Sequence, residues 1–143
     1  EPDRAYFGQK DFQQLQIIKK MVNKHRINVK IKGCAIFREE DGLAMSSRNT
    51  RLTPAQREAA PFIYKTLKKA RIKFGKENAD TVTQWVENEF KNHPLFTLEY
   101  FTIADEKSLE TIQNKDSSKK YRAFIAVFAE DIRLIDNIRL NNL

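Results

Sequence analysis

Within the first 37 residues the spacing of apolar positions changes twice. Arg4-Ala5-Tyr6-Phe7-Gly8 is short, aromatic and closed by glycine, which predicts a strand end or turn leading into a helix. Phe12, Leu15, Ile18 and Val22 then recur at helical spacing, with Ile17 and Met21 widening the stripe, so a helix is expected from about Asp11 to Asn23. Asp11 stands where a carboxylate can accept orphan backbone N–H groups. Lys19, Lys20 and Lys24 stand toward the end that favours cations. From Ile27 to Phe37 the period falls to two: Val29 and Ile31 alternate with Lys30 and Lys32, the pattern of a half-exposed strand. A helix followed by such a strand fits the last unit of a larger α/β sheet, whose other elements are expected upstream of Glu1.

The pattern then breaks. Arg38 to Arg51 is polar with neither period, and a loop of this length in a compact domain is more often functional than incidental. Thr53-Pro54-Ala55-Gln56 restarts order: Thr53 can cap, Pro54 suits the first helical position and Gln56 completes a capping box. The helix should reach Phe74 and stop at Gly75, with Pro61 forcing a kink or dividing it into two abutting helices. A further helix is expected from a cap at Asp80 to about Asn92, with Trp85 in the core and His93-Pro94 ending it. Leu98–Ala104 reads as a strand, Ser108–Gln113 as a short helix and Asn114–Lys120 as a polar loop. Tyr121–Ala129 is a strongly apolar strand, and Ile132–Asp136 alternates as its antiparallel neighbour across Glu130-Asp131. The expected fold is therefore α/β: residues 1–37 form the end piece of a parallel sheet domain, residues 38–51 a polar, hinge-like loop, and residues 52–143 a small α+β domain with about three antiparallel strands.

Composition narrows the chemistry. The 143 residues are 41% hydrophobic and 31% charged, which excludes a disordered or low-complexity chain. No apolar run is long enough for a transmembrane helix; the first ten residues carry no signal-peptide pattern. The expected setting is cytoplasmic, away from any membrane. The lone Cys34 excludes a disulfide framework and is expected to be a buried free thiol. His25 and His93 have no partner at ligand spacing, so no metal site is expected. A net charge of +7 draws polyanions, including nucleic acid, ATP and pyrophosphate, without separating them. The basic run Lys65, Lys68, Lys69, Arg71, Lys73 and Lys76 reads first as a solvated helix face. The chain opens on Glu1-Pro2-Asp3, without methionine, and enters a structured pattern at once, as a piece of a longer protein would.

Two clusters carry chemistry. In Gly8-Gln9-Lys10-Asp11, followed by Gln14, Gly8 lets a backbone approach a ligand, Lys10 is a mobile point charge suited to phosphate, and Asp11 and Gln14 lie about one helical turn apart. A helix cap beside a solvated lysine would account for the same residues. In Met45-Ser46-Ser47-Arg48-Asn49, hydroxyls and backbone N–H groups can hold phosphoryl oxygens, and Arg48 can bind them bidentately and neutralise charge as pyrophosphate leaves. An ordinary polar loop with a capping serine is the competing reading. Neither cluster offers an activated nucleophile. No Walker A or dinucleotide fingerprint is present. Only folding can bring together clusters 31 positions apart, counted from Gln14 to Met45.

At these clusters a resemblance becomes specific. Tyr6-Phe7-Gly8-Gln9-Lys10-Asp11-Phe12-Gln13-Gln14-Leu15, then Arg38-Glu39-Glu40-Asp41-Gly42-Leu43-Ala44-Met45-Ser46-Ser47-Arg48-Asn49, closely resemble the pantoate–β-alanine ligase (pantothenate synthetase) family. Arg133-Leu134-Ile135-Asp136-Asn137 resembles its last strand. The resemblance covers essentially this whole chain but only the C-terminal half of the family's length. It implies a Rossmann-like nucleotidyltransferase domain followed by a small domain that closes over ATP. It also implies a two-step reaction with magnesium accompanying ATP, through pantoyl adenylate and pyrophosphate and then the amine of β-alanine displacing AMP.

By resemblance, Gly8 is the backbone contact to the ATP ribose with Asp11 on the same nucleotide, and Lys10 is a phosphate ligand and, with Arg48, the catalytic pair. Gln14 hydrogen-bonds pantoate, and the main chain of Phe37 meets the adenine. Met45, Ser46, Ser47 and Arg48 resemble the family's counterpart of the KMSKS lid. Gln9 departs from the family's usual glutamate, and Glu130-Asp131 from a frequent glycine. The family's HxGH motif does not occur here, so the isolated chain is expected to be inactive. Pantoate, β-alanine and ATP are the implied partners. Stranded apolar surface on residues 1–37 predicts a homo-oligomer. Competing classes are another adenylate-forming nucleotidyltransferase and, on charge alone, a nucleic-acid-binding module, which lacks interleaved exposed aromatics and a helix-turn-helix signature.

Overall fold

The computed structural model describes residues 2–143, which form two compact units, Glu1–Phe37 and Arg38–Leu143. In the first, β1 (Arg4–Gly8) runs through a 3₁₀ turn (Gln9–Asp11) into α1 (Phe12–Lys24), and the chain returns as β2 (Lys30–Cys34). β1 and β2 pair in parallel, with Arg4 opposite Lys30 and Gly8 opposite Cys34. Parallel neighbours need a crossover, and α1 supplies it. The helix buries Phe12, Leu15 and Val22. Gly33 is what lets it sit close to the sheet: a Cβ there would stand 2.9 Å from Leu15 Cδ2. Asp11 is the residue before α1, yet its carboxylate makes no cap hydrogen bond, contrary to the expected cap; the 3₁₀ turn leads the backbone into the helix instead. Cys34 is exposed, correcting the buried thiol: β2 is one of only two strands in its sheet among the described residues, and its burial pattern leaves Cys34 outside.

The second unit begins with a tight turn at 38–44, where Glu39 N–H donates to Leu43 O and Gly42 N–H to Glu39 O. A 3₁₀ helix follows at Ser47–Arg51. The capping box forms at α2 (Pro54–Ala59): Thr53 Oγ1 accepts from Gln56 N–H, and Gln56 Oε1 accepts from Thr53 N–H. Pro61 begins a new helix, α3 (Pro61–Phe74), so the two abut rather than kink. Asn78, not Asp80, caps α4 (Ala79–Lys91): its Oδ1 accepts from Thr81 N–H at 2.8 Å, leaving Asp80 in the first turn. There the helix dipole favours its charge.

Three antiparallel strands complete the unit in the order β3 (Thr97–Asp105), β4 (Tyr121–Ala129), β5 (Ile132–Arg139). Their core face carries Phe101, Ile103, Ala123, Ile125, Val127, Leu134 and Ile138, packed with Ile63, Leu67 and Ala70 of α3 and Val82, Val86 and Phe90 of α4. Burying each large side chain is worth about 1.5–3 kcal/mol, which makes this layer the unit's main source of stability. Trp85 lies partly buried at its margin. The short helix expected at Ser108–Gln113 does not form. Asp105 Oδ1 accepts from Lys107 N–H and Ser108 N–H, Leu109 takes φ 65°, and the chain doubles back to pair Thr111 with Ala104. A local side-chain turn here outcompetes the helix.

Candidate functional site

In the first unit the fold places the predicted residues at one end of a parallel strand pair. Gly8 is the last residue of β1, and the 3₁₀ turn presents Lys10 and Asp11 immediately beyond it. Open α/β sheets bind ligands outside the carboxyl ends of their strands, and this is such an end. Gly8 has an ordinary extended backbone (φ −69°, ψ 136°), and a Cβ there would meet nothing within 4 Å. Neither backbone conformation nor local packing demands glycine. Asp11 and Gln14 are both exposed, on positions that share a helix face. With no cap hydrogen bond to make, the Asp11 carboxylate is left to meet solvent or a ligand. Phe37, the last residue of this unit, is 70% exposed.

The second cluster sits on a loop with a buried base and an exposed tip. Leu43 and Ala44 are buried. Beyond them Met45 is 46% exposed, and Ser47 and Arg48 are exposed. Ser46 Oγ accepts from Arg48 N–H at 3.2 Å and caps the 3₁₀ helix, so the capping reading holds for Ser46. Its O–H proton remains available to donate, because capping uses only the acceptor. Asn49 Nδ2 donates to Ala44 O at 3.1 Å, bracing the loop from within. Arg48 reaches Arg133 O at 3.5 Å through one nitrogen, at the outer limit for such a contact. Its guanidinium keeps further donors for an anion.

Around this loop lie residues that sequence reasoning missed. The Arg38 guanidinium grips Asp136 on β5 through both nitrogens, at 2.6 Å and 2.9 Å. It also donates to Gly42 O at 3.1 Å and stacks 3.7 Å over the Tyr64 ring. Gly42 takes φ +96°, and a Cβ would stand 2.5 Å from Tyr64 Cδ1, so glycine is required there. Asp41 pairs with Arg57 at 2.5 Å, and that hydrogen bond is the main cause holding the Asp41 carboxyl below its ordinary value. On β4 and β5, Arg122 and Arg139 share the Glu106 carboxylate at 2.9 Å each, and Arg122 also reaches Asn137 Oδ1 at 2.8 Å. Burial pushes the Glu106 carboxyl up, and the two arginines outweigh it and hold the group below its ordinary value. In the sequence Arg38, Asp41 and Gly42 stand in the quoted Arg38–Asn49 segment and Asp136 and Asn137 in the quoted Arg133–Asn137 segment, but nothing there pairs them.

His93 is structural. Its Nδ1 accepts from Leu95 N–H and Phe96 N–H, its ring stacks on Phe96 at 4.8 Å, and burial lowers its pKa. Lys65, Lys68, Lys69 and Lys76 are exposed along α3 and just beyond it. Among the described residues no group of three or more His, Cys, Asp or Glu side chains could hold a metal ion. No helix among them is long and apolar enough to cross a membrane.

Comparison with known proteins agrees with the motifs. A family model described as pantoate-beta-alanine ligase matches residues 1–139. The chain is 55% identical over 141 residues to a pantothenate synthetase of Christiangramia forsetii, covering 99% of this chain and 50% of that protein. It is 56% identical over 139 residues to one of Flavobacterium psychrophilum, covering 97% and 49%. Among solved structures, a pantoate-beta-alanine ligase (pantothenate synthetase) from Thermus thermophilus superposes with a TM-score of 0.88 at 34% identity, over 97% of this chain and 50% of that one. A ligase from Francisella tularensis, described as complexed with beta-gamma ATP and beta-alanine, superposes with a TM-score of 0.65 at 30% identity, over 96% and 44%. The chain spans about half the length of these relatives, and it belongs to the pantoate–beta-alanine ligase family.

Proposed function

We propose that this chain is the C-terminal half of an ATP-dependent ligase that joins pantoate to β-alanine through pantoyl adenylate. Residues 1–37 are then the end of a Rossmann-like nucleotidyltransferase domain, residues 38–51 its phosphate loop and hinge, and residues 52–143 its small lid domain. The observation that carries this reading is Gly8: a glycine that neither conformation nor packing requires, at the carboxyl end of a parallel strand pair, with open space where a side chain would stand. That is where a nucleotide ribose can lie against backbone.

The chemistry needs positioning and charge stabilisation rather than a protein nucleophile. A carboxylate oxygen of pantoate bonds to the α-phosphorus of ATP, the α–β bridging P–O bond breaks, and pyrophosphate leaves with the electron pair. Lys10 and Arg48 hold phosphoryl oxygens and offset the negative charge that grows on the leaving group. Gly8 and Asp11 hold the ribose, the Phe37 main chain meets the adenine, and Gln14 hydrogen-bonds pantoate. Met45, Ser46 and Ser47 complete the phosphate loop, with the Ser46 O–H as a donor. The amine of β-alanine then attacks the acyl carbon, the acyl–oxygen bond breaks, AMP departs, and the nitrogen sheds its extra proton. Magnesium bound with ATP would supply charge neutralisation at the phosphate oxygens that Lys10 and Arg48 hold.

Catalysis by positioning needs reacting atoms about 3–3.5 Å apart and aligned, and half a site does not supply that. The 143-residue chain is therefore expected to be inactive alone. The test is pantoate-dependent exchange of labelled pyrophosphate into ATP, with magnesium, on this chain and on the same chain joined to its N-terminal half. Exchange only by the joined protein is the expected result. Exchange by the folded fragment at the rate of the joined protein refutes the half-site reading, and pantoate-independence in both refutes the substrate.

A further inference from the structure

We infer that Arg38 and Asp136, backed by Tyr64, are positioning residues that set the register of the phosphate loop against β5; the inference rests on the functional reading above and deepens it. Asp136 is 4% exposed and occupies a core-face position on β5, between Leu134 and Ile138, both of which belong to the hydrophobic core. An aliphatic side chain would fill that position at lower desolvation cost, giving up, besides the Arg38 contacts, the hydrogen bond that Asp136 Oδ1 accepts from Asn137 N–H at 2.7 Å. A buried ion pair is seldom more stable than a hydrophobic pair of the same volume, so its value must be sought in geometry. Here the geometry is specific. The planar guanidinium takes both carboxylate oxygens, lies over the Tyr64 ring and donates to Gly42 O inside the loop's own turn. A lysine point charge reproduces neither the fork nor the stack.

The clamp acts on the loop from its base. Arg38 pairs with Ala44 across the turn, and Ala44 O receives the Asn49 amide. The backbone between Ala44 and Asn49 carries Met45, Ser46, Ser47 and Arg48. Arg48 itself touches β5 three residues before Asp136, at the Arg133 carbonyl. One strand thus holds the loop's start through a stiff bidentate pair, and its tip through a single long hydrogen bond that a phosphate can replace.

The test uses the complete enzyme. The double variant Arg38→Met/Asp136→Leu removes the pair and keeps the volume. It is expected to melt near the wild-type temperature, because relief of the pair's desolvation cost offsets loss of the hydrogen bond that Asp136 Oδ1 accepts from Asn137 N–H, while kcat/KM for ATP in pyrophosphate exchange falls about 10- to 100-fold. The KM for pantoate, whose contact Gln14 lies in the other unit, is expected to stay within about twofold, an order-of-magnitude bound for a site left undisturbed. A double variant that melts like the wild type and exchanges like it overturns the inference, because the pair would then set neither the stability nor the loop. If the double variant does not fold, Arg38→Lys decides, with the same loss for ATP expected and wild-type kinetics overturning. A wild-type enzyme without exchange sinks the functional reading instead, and amide hydrogen exchange at residues 43–48 then decides for the clamp: faster in the variants supports it, unchanged refutes it.

Discussion

The two units position their site residues by different means. In the first, backbone does the placing: Gly8, Lys10 and Asp11 stand where they do because a strand ends and a 3₁₀ turn begins. Only Phe12, Leu15 and Val22 of α1 are buried there, while Tyr6, Ile17 and Met21 are 62%, 61% and 46% exposed. In the second, side chains do the placing. The loop carrying Met45–Arg48 is tied to β5 by Arg38, to α2 by the Asp41–Arg57 pair and to itself by Asn49. Backbone placement depends on the strand pair forming. Side-chain placement can be lost residue by residue while the fold survives.

That contrast can be broken most directly in the cores. Leu67→Ala, at 0% exposure, is expected to cost about 2–5 kcal/mol in denaturant unfolding. Ile17→Ala in the first unit should stay within about 0.5 kcal/mol; a comparable loss from Ile17 would mean that its face is covered, as self-association through residues 1–37 would cover it, and light scattering would show the oligomer.

Arg48→Ala in the complete enzyme should lower pyrophosphate exchange about 10²-fold, near 2.7 kcal/mol, with no change in melting temperature, since its side chain holds β5 only at the outer limit of a hydrogen bond. Gly42→Ala should cost about 1–3 kcal/mol because of its positive φ and the nearby Tyr64 ring; Gly8→Ala should leave stability unchanged, and thermal melts of the pair would show whether the two glycines differ in kind. Thr53→Ala should cost about 1 kcal/mol through loss of the capping box.

The smallest expected effect is a pH dependence. Glu106 is held below its ordinary value of 4.5, so the unfolded chain binds its proton first on acidification. Its stabilising contribution is present above about pH 4.5 and is lost as pH falls through the lowered value. Glu106→Gln should therefore flatten the acid limb of the stability curve; an unchanged limb would remove the Arg122–Arg139 network from the account.

Local signals are legible in the sequence. Thr53-Pro54-Gln56 forms both bonds of the capping box, and the apolar run Tyr121–Ala129 is a strand with those bounds. Long-range pairings are not. Arg38 meets Asp136 across 98 positions, and nothing in the period of either segment announces it. Glu106 falls between the expected strand and the expected helix, unmarked by the sequence pattern, and two arginines from neighbouring strands converge on it. The Asp80 cap and the Ser108–Gln113 helix fail for a shared reason: a nearby Asn or Asp side chain takes the backbone N–H groups first. The expected burial of Cys34 fails because residue type speaks to average burial, whereas its strand has one neighbour, in a two-stranded sheet, among the described residues.

That exposed thiol has a practical side. Cys34 is the sole cysteine of these 143 residues and sits directly across the strand pair from Gly8. A maleimide fluorophore coupled there would report on the strand ends without any engineered mutation, turning an apparent packing anomaly into a built-in spectroscopic address.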